Sequence, residues 1–103
     1  MYIVVLVTAK DKKEAKKISA GLIKAKLAAC VNIIDKIDST FFWAGKIDLA
    51  KESLLVIKSK KDKLPQIIKL VKLMHSYEVP EIIALPIIAA DKPYLRWIDA
   101  ALR

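Results

Sequence analysis

The strongest constraint on the fold is a change of hydrophobic period that recurs along the chain. β-Branched or alternating apolar runs are separated by stretches with apolar residues at helical spacing. Their order is strand, helix, strand, strand, helix, strand, helix. Tyr2–Val7 is apolar and β-branched, and reads as a central strand buried on both faces. Asp11 with Glu14 three residues later has the form of a capping box and opens a helix to about Lys26. Ala15, Ile18, Leu22 and Ala25 share one stripe of it, whereas Lys12, Lys13, Lys16 and Lys17 lie mainly off the stripe and face water.

Leu27–Ile34 is the second strand, with Cys30 inside it. Asp35–Asp38 interrupts it with charge, and strand character resumes at Ser39–Trp43. This predicts one long strand with a bulge or kink at its middle. Gly45-Lys46 marks a hairpin turn of undefined type within a loose stretch, Ala44–Ala50. Glu52–Ser59 follows as a strand, placing Glu52, Leu54, Val56 and Lys58 on one side and Ser53, Leu55, Ile57 and Ser59 on the other. Asp62 is the expected cap of a second helix, with Pro65 in its first turn. Leu64, Ile67, Ile68, Val71 and Met74 keep the helical period, and His75 falls at or just past the end. Ile82–Ala89 is an apolar strand in which Pro86 removes a ladder donor, predicting an edge position or a bulge. Asp91 and Pro93 start a last helix through Leu102.

The first six elements compose a split βαβ, ferredoxin-like α+β sandwich, with two helices on one face of an antiparallel sheet. A C-terminal helix completes the order βαββαβα. The 103 residues suffice for a single domain with its own core. A hydrophobic fraction of 55% and a mean hydropathy of +0.34 are high for a small soluble monomer. The surplus predicts a subunit interface. The middle hairpin is longer than the sandwich needs, and a long apolar edge calls for a cover. The last helix and neighbouring subunits are the expected ones.

Several classes drop out on composition. The longest uncharged stretches, such as Ile82–Ala90, are about half the length of a membrane-spanning helix, so no membrane partner is expected. The apolar N-terminus lacks a positive n-region and a cleavage pattern. One cysteine precludes an intrachain disulfide framework and fits a reducing compartment, which predicts a cytoplasmic protein. The net charge of +8 comes from 19 basic residues, of which only Arg96 and Arg103 are arginine. Specific phosphate and base recognition leans on arginine forks, so the lysine excess reads as solvated helix faces. Phe41, Phe42 and Trp43 beside Lys46 could stack on bases. Their order departs from the RNA-binding signature of ferredoxin-like folds, and burial in the core or at an interface is the better reading. Nucleic acid is therefore not expected as a partner.

Polar chemistry concentrates at residues 75–81, His-Ser-Tyr-Glu-Val-Pro-Glu, where a helix gives way to a strand. A closed zinc site needs about four ligands, and one cysteine and one histidine 45 residues apart cannot supply it within a subunit. Copies in a symmetric oligomer could, with Glu78 or Glu81 adding oxygens. Otherwise His75 is a polar helix-end residue facing the final carbonyls. Cys30 reads as a small buried hydrophobe. Glu52 and Lys58 share a strand face but lie roughly 20 Å apart and cannot pair directly. Gly21 and Gly45 are the only glycines, so no phosphate-cradling loop exists, and no Ser/His/Asp set stands out. No enzyme activity is predicted.

Taken together, five blocks resemble the CutA family of divalent-cation tolerance proteins over nearly the whole chain. They are Leu27-Ala28-Ala29-Cys30-Val31-Asn32, Phe42-Trp43-Ala44-Gly45-Lys46, Glu52 with Ile57-Lys58-Ser59, His75 through Ile82, and Tyr94-Leu95-Arg96-Trp97-Ile98. The resemblance implies a non-enzymatic homotrimer in which the long hairpins reach onto neighbouring subunits. It implies binding of, or response to, divalent metal ions, copper (Cu²⁺) among them, and a general likeness to trimeric nitrogen-signalling PII proteins. It places Trp43, Lys46, Glu52, Lys58, Tyr77 and Glu81 in crevices between subunits, with His75 and Glu78 as candidate metal ligands. The alternative it leaves is a signalling or scaffold trimer holding a small anionic ligand in that crevice through Lys46 and Lys58. Copper-binding members use a cysteine near the end of the first strand and paired histidines before the tyrosine. Here Val7 and Met74-His75 stand at those places, and Ser76 replaces the usual proline.

Overall fold

The computed structural model describes residues 1–103. Its strands are β1 (Tyr2–Ala9), β2 (Cys30–Trp43), β3 (Lys46–Lys60) and β4 (Ile82–Pro86). The helices are α1 (Lys12–Lys24), α2 (Leu64–Met74) and α3 (Lys92–Ala101), and a 3₁₀ turn at Lys61–Lys63 precedes α2. The four strands form one antiparallel sheet in the order β2-β3-β1-β4. This is the ferredoxin-like α+β arrangement that the element order predicts.

The core lies between the sheet and the first two helices. Ile3, Val5, Val7 and Ala9 of β1 bury against Ala15, Ile18 and Leu22 of α1, with Leu55, Ile57, Ile67 and Val71 completing the cluster. Each of the buried Val, Leu and Ile side chains contributes roughly 1.5–3 kcal/mol by burial. The expectation that β1 is buried on both faces holds for one only: Tyr2, Val4, Leu6 and Thr8 are half-buried. On that second face α3 covers one end of the sheet, with Ile98 and Leu102 packed on Tyr2 and Ala29. Polar contacts hold it there. The Tyr2 hydroxyl donates to Asp99 Oδ2 at 2.8 Å, and Lys60 Nζ lies 2.9 Å from Asp99 Oδ1.

Asp11 Oδ1 accepts the Glu14 N–H at 2.8 Å, as the capping sequence predicts. The return bond is displaced by one residue, from the Lys10 N–H to Glu14 Oε1 at 3.2 Å. The helix stops sooner than Lys26. Lys26 adopts φ 60°, the Leu27 N–H reaches the Leu22 carbonyl at 3.0 Å, and the Lys26 N–H reaches that of Ile23 at 3.1 Å. This is a Schellman ending with lysine at the left-handed position. It leaves Ala25 exposed, off the apolar stripe, and buries Leu27–Ala29 in the connection, so β2 begins at Cys30.

β2 bulges between Ile34 and Ile37, where Lys36 takes φ 58°. Asp35 accepts the Ser53 hydroxyl at 2.7 Å, and that bond holds its carboxyl below the usual carboxylate range. Beyond the bulge the ladder runs without interruption to Trp43 opposite Lys46. The turn is thus only Ala44-Gly45, with φ 51° and 78°, of the mirror-image type that suits a twisted hairpin. Lys46–Ala50 is regular strand rather than loose chain. Asp62 sits in the 3₁₀ turn and does not cap α2, whose first turn has no side-chain cap. Pro86 ends β4 at the sheet edge; the Ile87 N–H still reaches the Tyr2 carbonyl at 3.0 Å, and residues 88–89 lie outside the strand. At about 3.3 Å per residue the 15-residue β3 spans roughly 50 Å. That length gives the molecule its long dimension of 45 Å against 25 and 22 Å.

Candidate functional site

The hairpin arm and the loop between α2 and β4 enclose an open cleft of ≈ 780 Å³ on the sheet face turned away from α1 and α2. Strand alternation decides what the arm presents. Phe41 lies opposite Asp48 and Trp43 opposite Lys46, so each pair shares a face. From the arm, Phe41, Trp43, Asp48 and Glu52 line the cleft, and Thr8 of β1 lies at its base. The loop supplies Tyr77, Glu78 and Glu81.

The loop is held by His75. Its backbone turns extended at the end of α2 (φ −84°, ψ 143°) and its side chain is fully buried. Nε2 lies 2.7 Å from the Thr8 carbonyl oxygen and donates to it. Nδ1 accepts the Tyr77 N–H at 3.0 Å. These partners define the neutral tautomer with the proton on Nε2. Buried Glu14 lies behind the ring: Oε1 is 3.5 Å from Nδ1, and Oε2 accepts the Ser76 N–H at 3.1 Å. The start of α1 and the loop are therefore pinned together through one carboxylate.

Tyr77 packs on the His75 ring with centroids 4.7 Å apart and donates its hydroxyl to Glu52 Oε2 at 2.8 Å. Burial and the Glu52 carboxylate push the phenol up to about 12, so it remains a donor at neutral pH. Glu52 is only 8% exposed, and its Oε1 has no hydrogen-bond partner. Asp48, Glu52, Glu78 and Glu81 bring four of the chain's 11 acidic residues to this one cleft. No basic side chain lines it, although the chain carries a net charge of +8.

Of the residues singled out by sequence, Trp43, Glu52, Tyr77, Glu78 and Glu81 come together here. Lys46 lies at the hairpin end beside Trp43 but does not line the cleft. Lys58 is at the other end of β3, hydrogen-bonded to Asn32 Oδ1 and 3.9 Å from Cys30 Sγ. Cys30 is half-exposed at the start of β2 and not a core residue. Tyr94 is raised by burial and by the same thiol. Phe41, Phe42 and Trp43 are 40%, 73% and 67% exposed in this chain, so they are not part of its core. Sequence reasoning did not find Asp48, Thr8 or the reach of Glu14. The first was legible in principle, since a two-residue turn at Ala44-Gly45 fixes Asp48 opposite Phe41.

A metal ion fits one subunit poorly. His75 has both ring nitrogens engaged, and no three His, Cys, Asp or Glu side chains are grouped closely enough to hold an ion.

Fold and cleft define a ferredoxin-like, non-nucleotide-loop protein with an acidic crevice at the root of a long hairpin. The CutA1 divalent ion tolerance protein family model matches residues 3–101, and the chain belongs to that family. The chain is 42% identical to the divalent-cation tolerance protein CutA of Archaeoglobus fulgidus over 99 residues, covering 96% of both chains. It is 43% identical over 101 residues to the chloroplastic protein CutA 1 of Oryza sativa, 98% of this chain and 57% of that one. The chain thus spans little more than half the length of the plant relatives it matches. A solved structure described as the periplasmic CutA of A. fulgidus superposes with a TM-score of 0.97 at 41% identity over 100% of both chains. That of CutA1 from O. sativa gives 0.96 at 42% identity, over 99% of this chain and 94% of that one.

Proposed function

We propose that this chain is a non-enzymatic, trimer-forming divalent-cation tolerance protein that responds to cations in the acidic cleft, with neighbouring subunits completing the site. The observation that carries this reading is the convergence of four carboxylates, without one basic side chain, in a strongly basic chain. Such a lining attracts cations and repels anions. Self-association is supported by the apolar hairpin arm, where Phe42, Ile47 and Leu49 are 73%, 75% and 70% exposed. The half-covered second face of the sheet offers a surface for a neighbour's arm. Carboxylate and carbonyl oxygens suit hard divalent ions, and two subunits would be needed to reach a full ligand count.

A narrower form assigns Cu²⁺ to His75 with Glu78. Imidazole suits copper. The ring would have to give up the Thr8 carbonyl or the Tyr77 N–H first. The alternative of a small anion held by Lys46 and Lys58 has less support. The two lie twelve residues apart on β3, about 40 Å, and neither lines the cleft. A cytoplasmic location belongs to the same proposal and rests on the single cysteine. Relatives are described as periplasmic or chloroplastic.

Native mass spectrometry with light scattering tests the assembly; a stable monomer at micromolar concentration removes the trimer. Calorimetric titration with Mn²⁺ and Cu²⁺ tests the cleft. Loss of binding in Glu52→Gln supports it, and loss confined to His75→Ala moves the metal to the histidine.

A further inference from the structure

We infer that the outward face of the α1–α2 layer is a docking surface for the phosphate backbone of duplex nucleic acid, bound without regard to base sequence. This face is separate from the acidic cleft and does not depend on what the cleft holds.

Sequence alone assigns the lysine excess to water. The structure shows how unevenly that excess is distributed. α1 carries Lys12, Lys13, Lys16, Lys17 and Lys24, all exposed. α2 adds Lys69 and Lys72, also exposed, and packs on α1 where Gly21 lies against Leu70 and Met74. The only acidic side chain on either helix is Glu14, which is 8% exposed and turned to the Lys10 and Ser76 amides. Asp11, which caps α1, and Asp35, which feels the charge of Lys12, lie at one end of the layer. The lysine–carboxylate pairs of the chain are Lys51–Asp38 and Lys60–Asp99, neither of them on this layer.

A face kept only for solubility interleaves the two signs, because opposite charges at i, i+4 support a helix and like charges weaken it. Here Lys12–Lys16 and Lys13–Lys17 repeat one sign at that spacing, and Lys69–Lys72 does so at i, i+3. Lys12 and Lys13 also stand in the first turn of α1, at the positive end of its dipole. Folding gains nothing from this pattern, whereas a polyanion laid across it relieves the repulsion.

The kind of polyanion follows from the rest of the layer. The apolar stripes of both helices are already buried in the core through Ala15, Ile18, Leu22, Ile67 and Val71. Helices that lie in a lipid surface need that stripe for the bilayer. The centre of a protein–protein interface is poor in lysine and rich in apolar and aromatic groups. The exposed apolar side chains here, Ile23, Leu73 and Met74, stand at helix ends, away from the main lysine rows. A nucleic-acid backbone asks only for mobile positive charge, which lysine supplies. Lys12–Lys24 covers about 18 Å of helix axis, a length over which a duplex carries roughly ten phosphate charges. Neither helix bears an arginine or an aromatic ring, so base edges are not read and no stacking platform exists. The proposed subunit contacts use the hairpin arm and the opposite face of the sheet, which leaves this layer open in the assembled protein.

Fluorescence anisotropy of a labelled, mixed-sequence DNA duplex of about 30 base pairs, titrated with the intact, assembled protein, tests this surface. Saturable binding is expected at about 50 mM salt, weakened about a hundredfold or more at about 200 mM, as neutralising about four or more phosphates implies. Two duplexes of unrelated sequence should bind alike. Lys16→Glu combined with Lys17→Glu should weaken binding at least about tenfold and lower the salt slope by about two. Lys51→Glu combined with Lys92→Glu makes the same change of net charge off the layer and should weaken binding less than about threefold. Circular dichroism and light scattering verify that both double variants fold and assemble as the wild type does. Absence of saturable binding at about 50 mM salt would overturn the proposal. Equal weakening by the two double variants would also overturn it, by assigning the binding to net charge alone. So would tighter binding to phosphatidylserine vesicles or to polyglutamate than to the duplex in the same buffer, which would give the layer to a membrane or to an acidic protein.

Discussion

The Tyr77 hydroxyl donates to Glu52 Oε2 at 2.8 Å, joining the loop after α2 to the strand that carries the hairpin. This bond closes one side of the cleft and fixes the orientation of its most buried charge. Tyr77→Phe leaves Glu52 without its donor. Denaturant unfolding should show a loss of about 1–3 kcal/mol.

Burial of the Tyr77 phenol, and after it the same bond, gives an alkaline signature. The Tyr77 phenol is raised from 10.0 to about 12, so between those values the folded protein keeps a proton that the unfolded chain has lost. The contribution is fully present below pH 10 and is lost as pH rises toward 12. Ultraviolet phenolate titration of wild type and Tyr77→Phe should differ by one late-titrating tyrosine.

Asp99 predicts an acid signature at the other end of the sheet. Lys60 first, then the Tyr2 hydroxyl, hold its carboxyl below 3.8. That contribution is present above pH 3.8 and is lost as pH falls through the lower folded value. Trp97 lies on α3, two residues before Asp99, and its fluorescence should report loosening of this helix on acidification. In Asp99→Asn this acid limb should disappear.

His75→Ala removes a fully buried ring, two hydrogen bonds to backbone and the neighbour of buried Glu14. A loss of about 2–4 kcal/mol is expected. Hydrogen exchange should show the Ser76 and Tyr77 amides losing protection before those of the core strands. An unchanged exchange pattern would contradict the role of the ring as the pin of this loop.

Lys26→Gly tests the helix ending. A non-glycine residue in the left-handed region is strained by about 1 kcal/mol. Glycine at φ 60° relieves it without touching a neighbour's packing. Thermal unfolding should shift upward by several degrees for a domain of this size.

Ile47→Glu places a charge on the exposed arm, where the native side chain is 75% exposed and makes no core contact. The subunit should still fold, judged by circular dichroism. If the arm packs on a neighbour, light scattering should report a shift from trimer to monomer.

Much of the fold was legible because its signals are local. The period switch between Tyr2 and Lys24, the cap at Asp11, the charge break at Asp35–Asp38 and the edge proline at 86 each act through residues close in sequence. The errors fell where a neighbour along the chain was not the deciding partner. Asp62 has the chemistry of a cap, but the 3₁₀ turn moves the helix start past it. Ala44–Ala50 looks loose, but the ladder with β2 holds it straight. The sequence by itself determined the order of elements and which stripe of each helix turns inward, since these follow from spacing within a few residues. Only the tertiary structure decided the site. It brought Tyr77 to Glu52 across 25 positions, and His75 to Thr8 across 67. Such pairings depend on sheet register and on which buried donor lacks water, and neither is set until the whole sheet has formed.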